Sequence, residues 1–303
     1  MPKICVIGSI NMDLVIRCRQ LPIPGETVIA NSSAEIPGGK GANQAVGAAR
    51  AGGTVTMVGR VGDDAFAHQL LQNLKNENIS TNTIASTEQC ASGIAIVAVE
   101  QRGENERRMV PGANGRISQQ DIHDAKTLIF DSDIVLLQLE IPFDAVAEAM
   151  QIAKAAGLPI ILDPAPMPTS LPDNLLSVDF LCPNQSEASA LSGLPVETVA
   201  DAKACVPILH QKGAKNVLIT LGRDGAVVSD GTTIEWIEPI KIKPVDTTAA
   251  GDAFAGALAV RLANKHSLIE SARFACAAGS IAATRLGAQP AMPTAEEINA
   301  MLN

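Results

Sequence analysis

The chain has 303 residues, a formal net charge of −9 and only 2% aromatic residues. An acidic chain with so few rings lacks the basic patches and stacking platforms that nucleic-acid binding requires, so we expect no nucleic-acid partner. We expect no membrane partner either, because no apolar run is long enough to span a bilayer. The 47% of hydrophobic residues suit a core of Ala, Val, Ile and Leu, as in a buried parallel sheet covered by Ala-rich helices.

Apolar strands alternate with amphipathic helices along the chain, which predicts a mostly parallel sheet with helices on both faces. The predicted strands are 3–8, 54–59, 133–140, 158–166, 178–184 and 215–222. The predicted helices are 43–51, 63–79, 144–157 and 199–213, then two helices over 251–286 and a closing helix.

Two segments, 14–36 and 92–111, interrupt this rhythm with an alternation of apolar and polar residues. We interpret them as antiparallel strands that form a small extra sheet, a lid over one edge of the main sheet. The alternative is a pair of ordinary edge hairpins. No linker or low-complexity stretch divides the chain, so we expect one domain over 1–303.

The six cysteines are scattered and form no C-x-x-C pair, which makes a zinc or dithiol redox site a weak hypothesis. The first residues are typical of a strand and not of a signal peptide. We therefore expect a reducing, cytoplasmic compartment. The four histidines are isolated, and no Ser/His/Asp set emerges.

The segment PGGKGANQA, 37–45, is not a P-loop, because Ala34 stands where the pattern needs its first glycine and Gly41 follows the lysine. Its paired glycines predict a turn with exposed amides, beside which Lys40 and Asn43 can hold a polyhydroxy ligand. The alternative is a tight strand-to-helix turn with a solvated lysine.

Two further segments are ambiguous. The run TLGRDG, 220–225, follows a strand and can either bring its backbone near a nucleotide phosphate or form a β-hairpin turn. In PNQSEA, 183–188, Asn184 and Glu187 can hold Mg²⁺ through its waters or act as an N-cap with its capping-box partner.

The stretch DTTAAGD, 246–252, precedes an apolar helical run. The small residues Ala249, Ala250 and Gly251 leave the first amides of that helix unshielded, which suits an anion. Asp252 then lies where it can orient an attacking hydroxyl and accept its proton. The alternative is a first-turn acid that is favoured by the helix dipole.

Four segments occur in one order: SINMD at 9–13, PGGKGANQA at 37–45, PNQSE at 183–187 and DTTAAGDAF at 246–254. On these motifs the whole chain resembles the ribokinase-like carbohydrate kinases, the phosphofructokinase-B group. The resemblance implies an α/β fold: a three-layer α/β/α sandwich with a mostly parallel central sheet and a small β-sheet lid. The N-x-D at 11–13 is similar to the ribose-specific branch, which implies ATP-dependent phosphorylation of D-ribose at O5 to D-ribose 5-phosphate.

The resemblance also implies roles for individual residues. Asp252 corresponds to the general base, and Ala249, Ala250 and Gly251 to the anion hole. The implied contacts to the sugar are Asn11, Asp13, Gly39, Lys40, Asn43, Glu140 and Asp252. The implied contacts to ATP are Asn184, Thr220, Leu221, Gly222, Arg223, Asp224, Gly225, Gly251 and Cys276.

Two cations are implied as well. Glu187 completes an N-x-x-E motif for Mg²⁺, bound through water. The potassium site corresponds to Asp246 with main-chain oxygens near Thr248, Ala282, Arg285, Gly287 and Ala291. Relatives often carry His or Asn where this chain has Cys276, and Gly where it has Ala249. Pairing of two lids implies a homodimer.

Two alternatives remain at this point. One is a kinase of the same family that acts on deoxyribose, fructose or adenosine. The other is a sugar-binding regulator without catalytic activity. A deoxy sugar leaves the carboxylate of Asp13 without a hydroxyl to bind, which favours ribose.

Overall fold

The computed structural model describes residues 1–23, 25–100 and 105–303. Its strands are β1 Lys3–Ile7, β2 Asn11–Cys18, β3 Ser32–Gly38, β4 Thr54–Val61, β5 Ser80–Ser86, β6 Gly93–Glu100, β7 Asn105–Val110, β8 Ile134–Leu137, β9 Ile160–Leu162, β10 Phe180–Leu181, β11 Asn216–Thr220, β12 Ala226–Ser229 and β13 Ile234–Ile237. Its helices are α1 Lys40–Arg50, α2 Ala65–Asn76, α3 Gln119–Asp124, α4 Lys126–Phe130, α5 Phe143–Ala155, α6 Gln185–Ser192, α7 Val199–Gln211, α8 Ala250–Ala263, α9 Leu268–Ala283 and α10 Ala295–Leu302.

The main sheet has nine strands in the order β13-β12-β11-β10-β9-β8-β1-β4-β5. From β11 to β5 in this order every neighbouring pair is parallel. The pairs β11–β12 and β12–β13 are antiparallel. Helical crossovers make parallel pairing possible, whereas the short connection after β11 allows only a hairpin. The predicted mostly parallel sheet is confirmed. The run at 220–225 forms a β-hairpin turn between β11 and β12, which was one of its two predicted alternatives.

Alternation along the central strand β1 shows how the layers form. Ile4 and Val6 lie in one buried cluster, and Cys5 and Ile7 lie in the other. Helices α1, α2, α8, α9 and α10 cover the first face of the sheet, and α3 to α7 cover the second. The predicted three-layer α/β/α sandwich is therefore confirmed.

A separate small sheet has the order β3-β2-β6-β7, and we call it the small sheet. The pairs β2–β3 and β6–β7 are antiparallel as predicted, but β2 and β6 are parallel, which the prediction of antiparallel strands missed. The reason is that β2 follows β1 and β6 follows β5, two strands that run in the same direction in the main sheet. Residues 24 and 101–104 of the predicted lid segments lie outside the described residues.

Several element boundaries differ from the predictions. The strand predicted at 178–184 is reduced to two residues, and β5, β13, α3 and α4 were not predicted. Across the described part of the chain, every helix is too short or too polar to cross a bilayer.

The strand order determines where a ligand can bind. From β1 the chain moves to β4 and β5 on one side of the sheet, and from β8 it moves to β9, β10 and β11 on the other. In open parallel sheets, ligands bind at the carboxyl ends of the strands where this order reverses. That position lies beside the ends of β1 and β8, below the small sheet.

Candidate active site

A cleft of about 190 Å³ lies at this switch point. It is lined by Asn11, Asp13, Gly39, Lys40, Asn43, Ala95, Arg107, Met109, Glu140, Asn184, Thr248, Ala249, Gly251 and Asp252. The structure thus brings together every residue that was predicted to contact the sugar. The small sheet covers this cleft with side chains from β2, β6 and β7.

Asp252 is the acid at the base of the cleft. It lies in the first turn of α8 and is 5% exposed. Its Oδ2 accepts a hydrogen bond from Nδ2 of Asn43 at 3.0 Å, and its Oδ1 accepts one from Nε2 of Gln44 at 3.1 Å. Nζ of Lys40 is 3.5 Å from Oδ1. The buried carboxylate is therefore held as an acceptor by neutral amides and one cation.

All three of these donors come from the start of α1. Lys40, Asn43 and Gln44 have the i, i+3, i+4 spacing that places side chains on one face of a helix. The helix starts after Gly39, whose φ of 88° favours glycine. A Cβ at Gly39 would lie 2.7 Å from the backbone nitrogen of Asn11, so this turn needs glycine for space as well.

The tip of α8 offers the amides that were predicted as an anion hole. Ala249 precedes the helix in the left-handed region with a φ of 58°. The amide of Ala250 is bonded to the carbonyl of Thr247, but the amides of Gly251 and Asp252 have no acceptor among the described residues. Gly251 lines both the cleft and a neighbouring cavity, and a Cβ at this position would meet nothing within 4 Å, so the helix tip is uncrowded. The tip therefore presents two free donors and the positive end of the helix dipole.

Polar groups at the other end of the cleft are preorganised. Oδ1 of Asn11 accepts a hydrogen bond from Nδ2 of Asn114 at 2.7 Å. The carboxylate of Glu140 accepts hydrogen bonds from the hydroxyl of Ser9 and from the backbone N–H of Lys40. These bonds orient the Asn11 and Glu140 side chains before any ligand arrives.

Asp13 and Arg107 both line this end of the cleft. Burial raises the pKa of Asp13 to about 6, Arg107 lowers it, and the charges of Glu140 and Asp252 raise it further. Arg107 and Met109 occupy alternate positions of β7, so both side chains lie on the face of the small sheet that lines the cleft. Arg107 was not predicted as a site residue.

Lys40 connects two carboxylates. Its Nζ lies 3.0 Å from Oδ2 of Asp163 in addition to its contact with Asp252. Burial acts to lower the pKa of Lys40, but the charges of Asp163, Asp252 and Glu140 outweigh burial and raise it. Lys40 therefore stays charged between the two acids.

Asp163 is a site residue that the sequence reading missed. It follows β9 directly, is 6% exposed and also accepts a hydrogen bond from Nε2 of Gln44 at 2.7 Å. Burial raises its pKa to about 7, Lys40 lowers it, and Glu187 and Asp252 raise it. The available signal was a carboxylate in the carboxyl-terminal half of the strand predicted at 158–166, near the edge where ligands bind in parallel sheets.

A smaller cavity of about 50 Å³ adjoins the cleft. It is lined by Lys40, Asp163, Cys182, Asn184, Glu187, Thr220, Gly251, Phe254 and Ala255. Lys40, Asn184 and Gly251 line both spaces, so they mark the boundary between the predicted sugar side and nucleotide side.

Asn184 and Glu187 form the capping box of α6. Both Glu187 oxygens accept hydrogen bonds from Asn184, one from its backbone N–H and one from its side chain, each at 2.8 Å. In the described residues no group of three or more His, Cys, Asp or Glu side chains is placed to hold a metal ion. The carboxylates of Asp163 and Glu187 nevertheless line one small cavity, and this oxygen-rich set fits a magnesium ion that keeps its water shell.

Of the other predicted nucleotide residues, Thr220 lines the small cavity, whereas 221–225 and Cys276 line neither space. Thr220 ends β11 and pairs with Asn184 through an isolated bridge. Leu221 is buried, and Gly222, Arg223 and Asp224 form a 3-10 turn that ends at Gly225. Cys276 lies on α9, where burial raises the pKa of its thiol to about 12 and keeps it neutral.

The residues predicted for potassium meet only in part. Oδ1 of Asp246 accepts the N–H of Thr248 at 2.9 Å, and Oδ2 accepts the N–H of Gly287 at 3.0 Å. Burial acts to raise the pKa of Asp246, but these hydrogen bonds outweigh it and hold the pKa below its usual value. An acid that stays ionised beside two carbonyl-rich loops suits a monovalent cation.

The remaining three predicted potassium residues are placed around the same loops. The carbonyl of Ala282 accepts the N–H of Arg285 at 3.1 Å, and Ala291 lies buried in a 3-10 turn. The hydrogen bonds of the structure do not tie them to Asp246 as they tie Thr248 and Gly287.

Comparisons with known proteins identify a family that the chain resembles over almost its full length. Residues 1–295 match the family described as pfkB family carbohydrate kinase. The chain is 39% identical to a ribokinase of Bacillus subtilis over 303 residues, covering 100% of both chains. It is 38% identical to a ribokinase of Haemophilus influenzae over 293 residues, covering 96% of this chain and 95% of the relative.

A solved structure, Arabidopsis thaliana ribokinase complexed with ribose and ATP, superposes on the chain with a TM-score of 0.90. It is 33% identical, and the match covers 100% of this chain and 98% of that one. A match over nearly the whole chain, with the predicted fold and the predicted cleft, has one consequence: the chain belongs to the pfkB family of carbohydrate kinases.

Proposed function

We propose that this chain transfers the γ-phosphoryl group of ATP to O5 of D-ribose and so forms D-ribose 5-phosphate and ADP. One observation carries this proposal: a buried carboxylate, Asp252, lies between a polar cleft and a helix tip with two free amides. This arrangement separates an alcohol-binding side from an anion-binding side. The names of the relatives favour the same reaction.

The sugar binds in the larger cleft. Asp13, Asn11 and Glu140 offer carboxylate and amide groups to the ring hydroxyls, while the Gly39 turn allows close approach to the backbone. Because Asn11 and Glu140 are held by internal hydrogen bonds, little reorganisation of these two side chains accompanies binding. The primary alcohol of ribose then points toward Asp252.

The chemical step follows from the position of Asp252. The O5 oxygen attacks the γ-phosphorus while the bond from that phosphorus to the β–γ bridging oxygen breaks. The O5 proton passes to a carboxylate oxygen of Asp252, and the electron pair of the broken bond leaves with ADP. The free amides of Gly251 and Asp252 donate to the phosphoryl oxygens, where negative charge is redistributed.

Two cations complete the proposal. Magnesium would be held through water by Glu187, and when bound it neutralises the charge of the ATP phosphates. Potassium would be held by Asp246 and carbonyl oxygens near Thr248, Ala282, Arg285, Gly287 and Ala291. Its role is to order the loop before α8, because Asp246 already ties that loop to Gly287.

The nucleotide lies on the other side of Lys40 and Gly251. Its phosphates occupy the small cavity beside Asn184 and Thr220, and its base extends toward the 222–225 turn and Cys276. The neutral thiol of Cys276 supplies contact area there and no strong hydrogen bond.

A coupled assay of ADP release tests this function. The acceptors are ribose, 2-deoxyribose, fructose and adenosine, each with and without potassium. We expect the highest kcat/KM for ribose and an increase in activity with potassium. Preference for another acceptor would assign a different kinase of the family, and no turnover with any acceptor would favour a sugar-binding regulator.

Three further properties belong to this proposal. The small sheet closes over bound sugar and excludes water, so ribose should protect residues 14–36 from proteolysis. Two small sheets pair to form a homodimer, since Ile96 and Val110 are exposed on the face turned away from the cleft, and a monomer in light scattering would contradict this. The six cysteines, all in described residues, are unpaired, which supports a cytoplasmic location.

A further inference from the structure

Gln44 lies directly behind the proposed base and is fully buried. Its Nε2 donates to two carboxylates at once, to Oδ2 of Asp163 at 2.7 Å and to Oδ1 of Asp252 at 3.1 Å. Its Oε1 accepts a hydrogen bond from Nε2 of Gln138 at 2.6 Å. Both ends of this amide are therefore engaged.

The direction of this chain of hydrogen bonds is determined by the two acids. The ammonium group of Lys40 lies beside both carboxylates and favours them as acceptors, so the NH₂ group of Gln44 faces Asp163 and Asp252. Its oxygen must then face Gln138, which must donate. The consequence is visible at the far end, where Oε1 of Gln138 is buried without a partner among the described residues.

An orphaned buried carbonyl costs free energy, yet the structure makes room for it. A Cβ at Gly8 would lie 1.9 Å from Oε1 of Gln138, so glycine at position 8 is what admits this side chain. Apolar residues in place of both glutamines would remove this unpaired carbonyl but would take one donor from Asp163 and one from Asp252. The two hydrogen-bonded glutamines are present although Oε1 of Gln138 has no partner among the described residues, which points to a role in the reaction.

We propose that Gln44 is a positioning residue for phosphoryl transfer, which aims the carboxylate of Asp252 and is itself oriented by Gln138 and Asp163. With Asn43 bonded to Oδ2 and Gln44 to Oδ1, the carboxylate cannot rotate about its Cβ–Cγ bond without breaking two hydrogen bonds. This inference rests on the proposed function, in which Asp252 is the base.

The first test is Gln44→Leu, which keeps the bulk of the side chain and removes both polar ends. Because misplacement of a reacting group by about 1 Å costs on the order of 100-fold in rate, we expect kcat to fall roughly 100-fold. KM for ribose and for ATP should change little, since Gln44 does not line the sugar cleft. The matched control is Gln72→Leu, an exposed glutamine on α2 bonded only to Asn76, which should leave kcat unchanged.

A second variant separates positioning from stability. Gln44→Leu strands the NH₂ group of Gln138 and removes one donor from each of Asp163 and Asp252. Gln44→Leu combined with Gln138→Leu relieves the stranded NH₂ group, so its Tm should recover in part. If Gln44 positions the base, kcat of the double variant stays roughly 100-fold low despite the partly recovered Tm. Recovery of kcat together with Tm would overturn the inference, as would a single variant whose kcat stays close to that of the wild type.

Failure of the proposed function and failure of the Gln44 role give different results. A wild-type enzyme that does not phosphorylate ribose contradicts the proposed function, and the variants are then compared on whichever sugar the wild type accepts. A wild-type enzyme that phosphorylates ribose, with an unimpaired Gln44→Leu variant, contradicts only the role of Gln44.

Discussion

Replacement of Asp252 by Asn tests the central element of the site. The change removes the proton acceptor and keeps the shape of the side chain. Loss of a general base costs on the order of 10²- to 10⁴-fold in rate, or about 3 to 5 kcal/mol of activation free energy. We therefore expect kcat for ribose to fall by roughly 1,000-fold.

The structure also predicts that this variant folds. An amide at position 252 can keep its oxygen toward Gln44 and Lys40 and turn its NH₂ group toward Asn43. Asn43 can rotate its own amide to accept, because its Oδ1 has no partner among the described residues. Lys40 retains its ion pair with Asp163, so the loss of stability should stay near 1 kcal/mol.

The assay has two parts, ADP release in the presence of ribose and calorimetric titration with ribose. Asp252→Asn should bind ribose and turn over very slowly, whereas Asp124→Asn, an exposed acid on α3, should match the wild type in both. A kcat within tenfold of the wild type would refute Asp252 as the base. Loss of ribose binding together with activity would show that the acid acts in binding and not in the chemistry.

Three further predictions concern the cleft, the helix tip and the loop before it. Ribose affinity should weaken as the pH falls below about 6, because Asp13 is then protonated. Arg107→Leu should move the midpoint of this pH dependence upward, because the charge of Arg107 lowers the pKa of Asp13. An unmoved midpoint in calorimetry would contradict this influence of Arg107 on Asp13. Ala249→Gly should keep the free energy of unfolding in urea within about 0.5 kcal/mol of the wild type, because relief of the left-handed conformation offsets the added entropy of the unfolded chain. The control, Ala253→Gly inside α8, should lower that free energy by about 1 kcal/mol. Equal losses in the two variants would argue against strain at Ala249. Potassium chloride is expected to stimulate activity and to raise Tm more than sodium chloride does, and Asp246→Asn should reduce both effects. An unchanged response to potassium would place the cation elsewhere.

Much of the fold follows from short-range patterns. The apolar runs of β1, β4 and β11 and the 3.6-residue period of α5, α7 and α9 are visible in the sequence, so the layers were predicted correctly. The strands β5 and β13 lie at the two edges of the sheet, where partial burial leaves little pattern; β5 was missed because it is mostly polar, and β13 because it has only four residues. The parallel pairing of β2 with β6 depends on how the main sheet orients them, which no local pattern encodes.

The site divides in the same way. Sequence motifs predicted Asp252, the Gly39 turn and the Asn184 capping box. Turn glycines, helix caps and first-turn acids can be predicted in this way because they affect only the backbone a few residues away. Gln44 was not predicted as a site residue, whereas its neighbour Asn43 was. Its spacing of four residues from Lys40 places both side chains on one face of α1. Asp163 stands in no motif and becomes a site residue only through its contacts with Lys40 and Gln44.

The sequence by itself determined the alternation of strands and helices, the positions of the tight turns and the existence of a helix with a bare N-terminus followed by an acid. Only the tertiary structure decided which groups meet that acid. Gln44 contacts residues 119 and 208 positions away, and these contacts exist because the strand order brings the carboxyl ends of β8 and β9 beside α1 and α8. Local preferences act over a few residues, whereas the arrangement of charges in the cleft depends on the packing of the whole sheet.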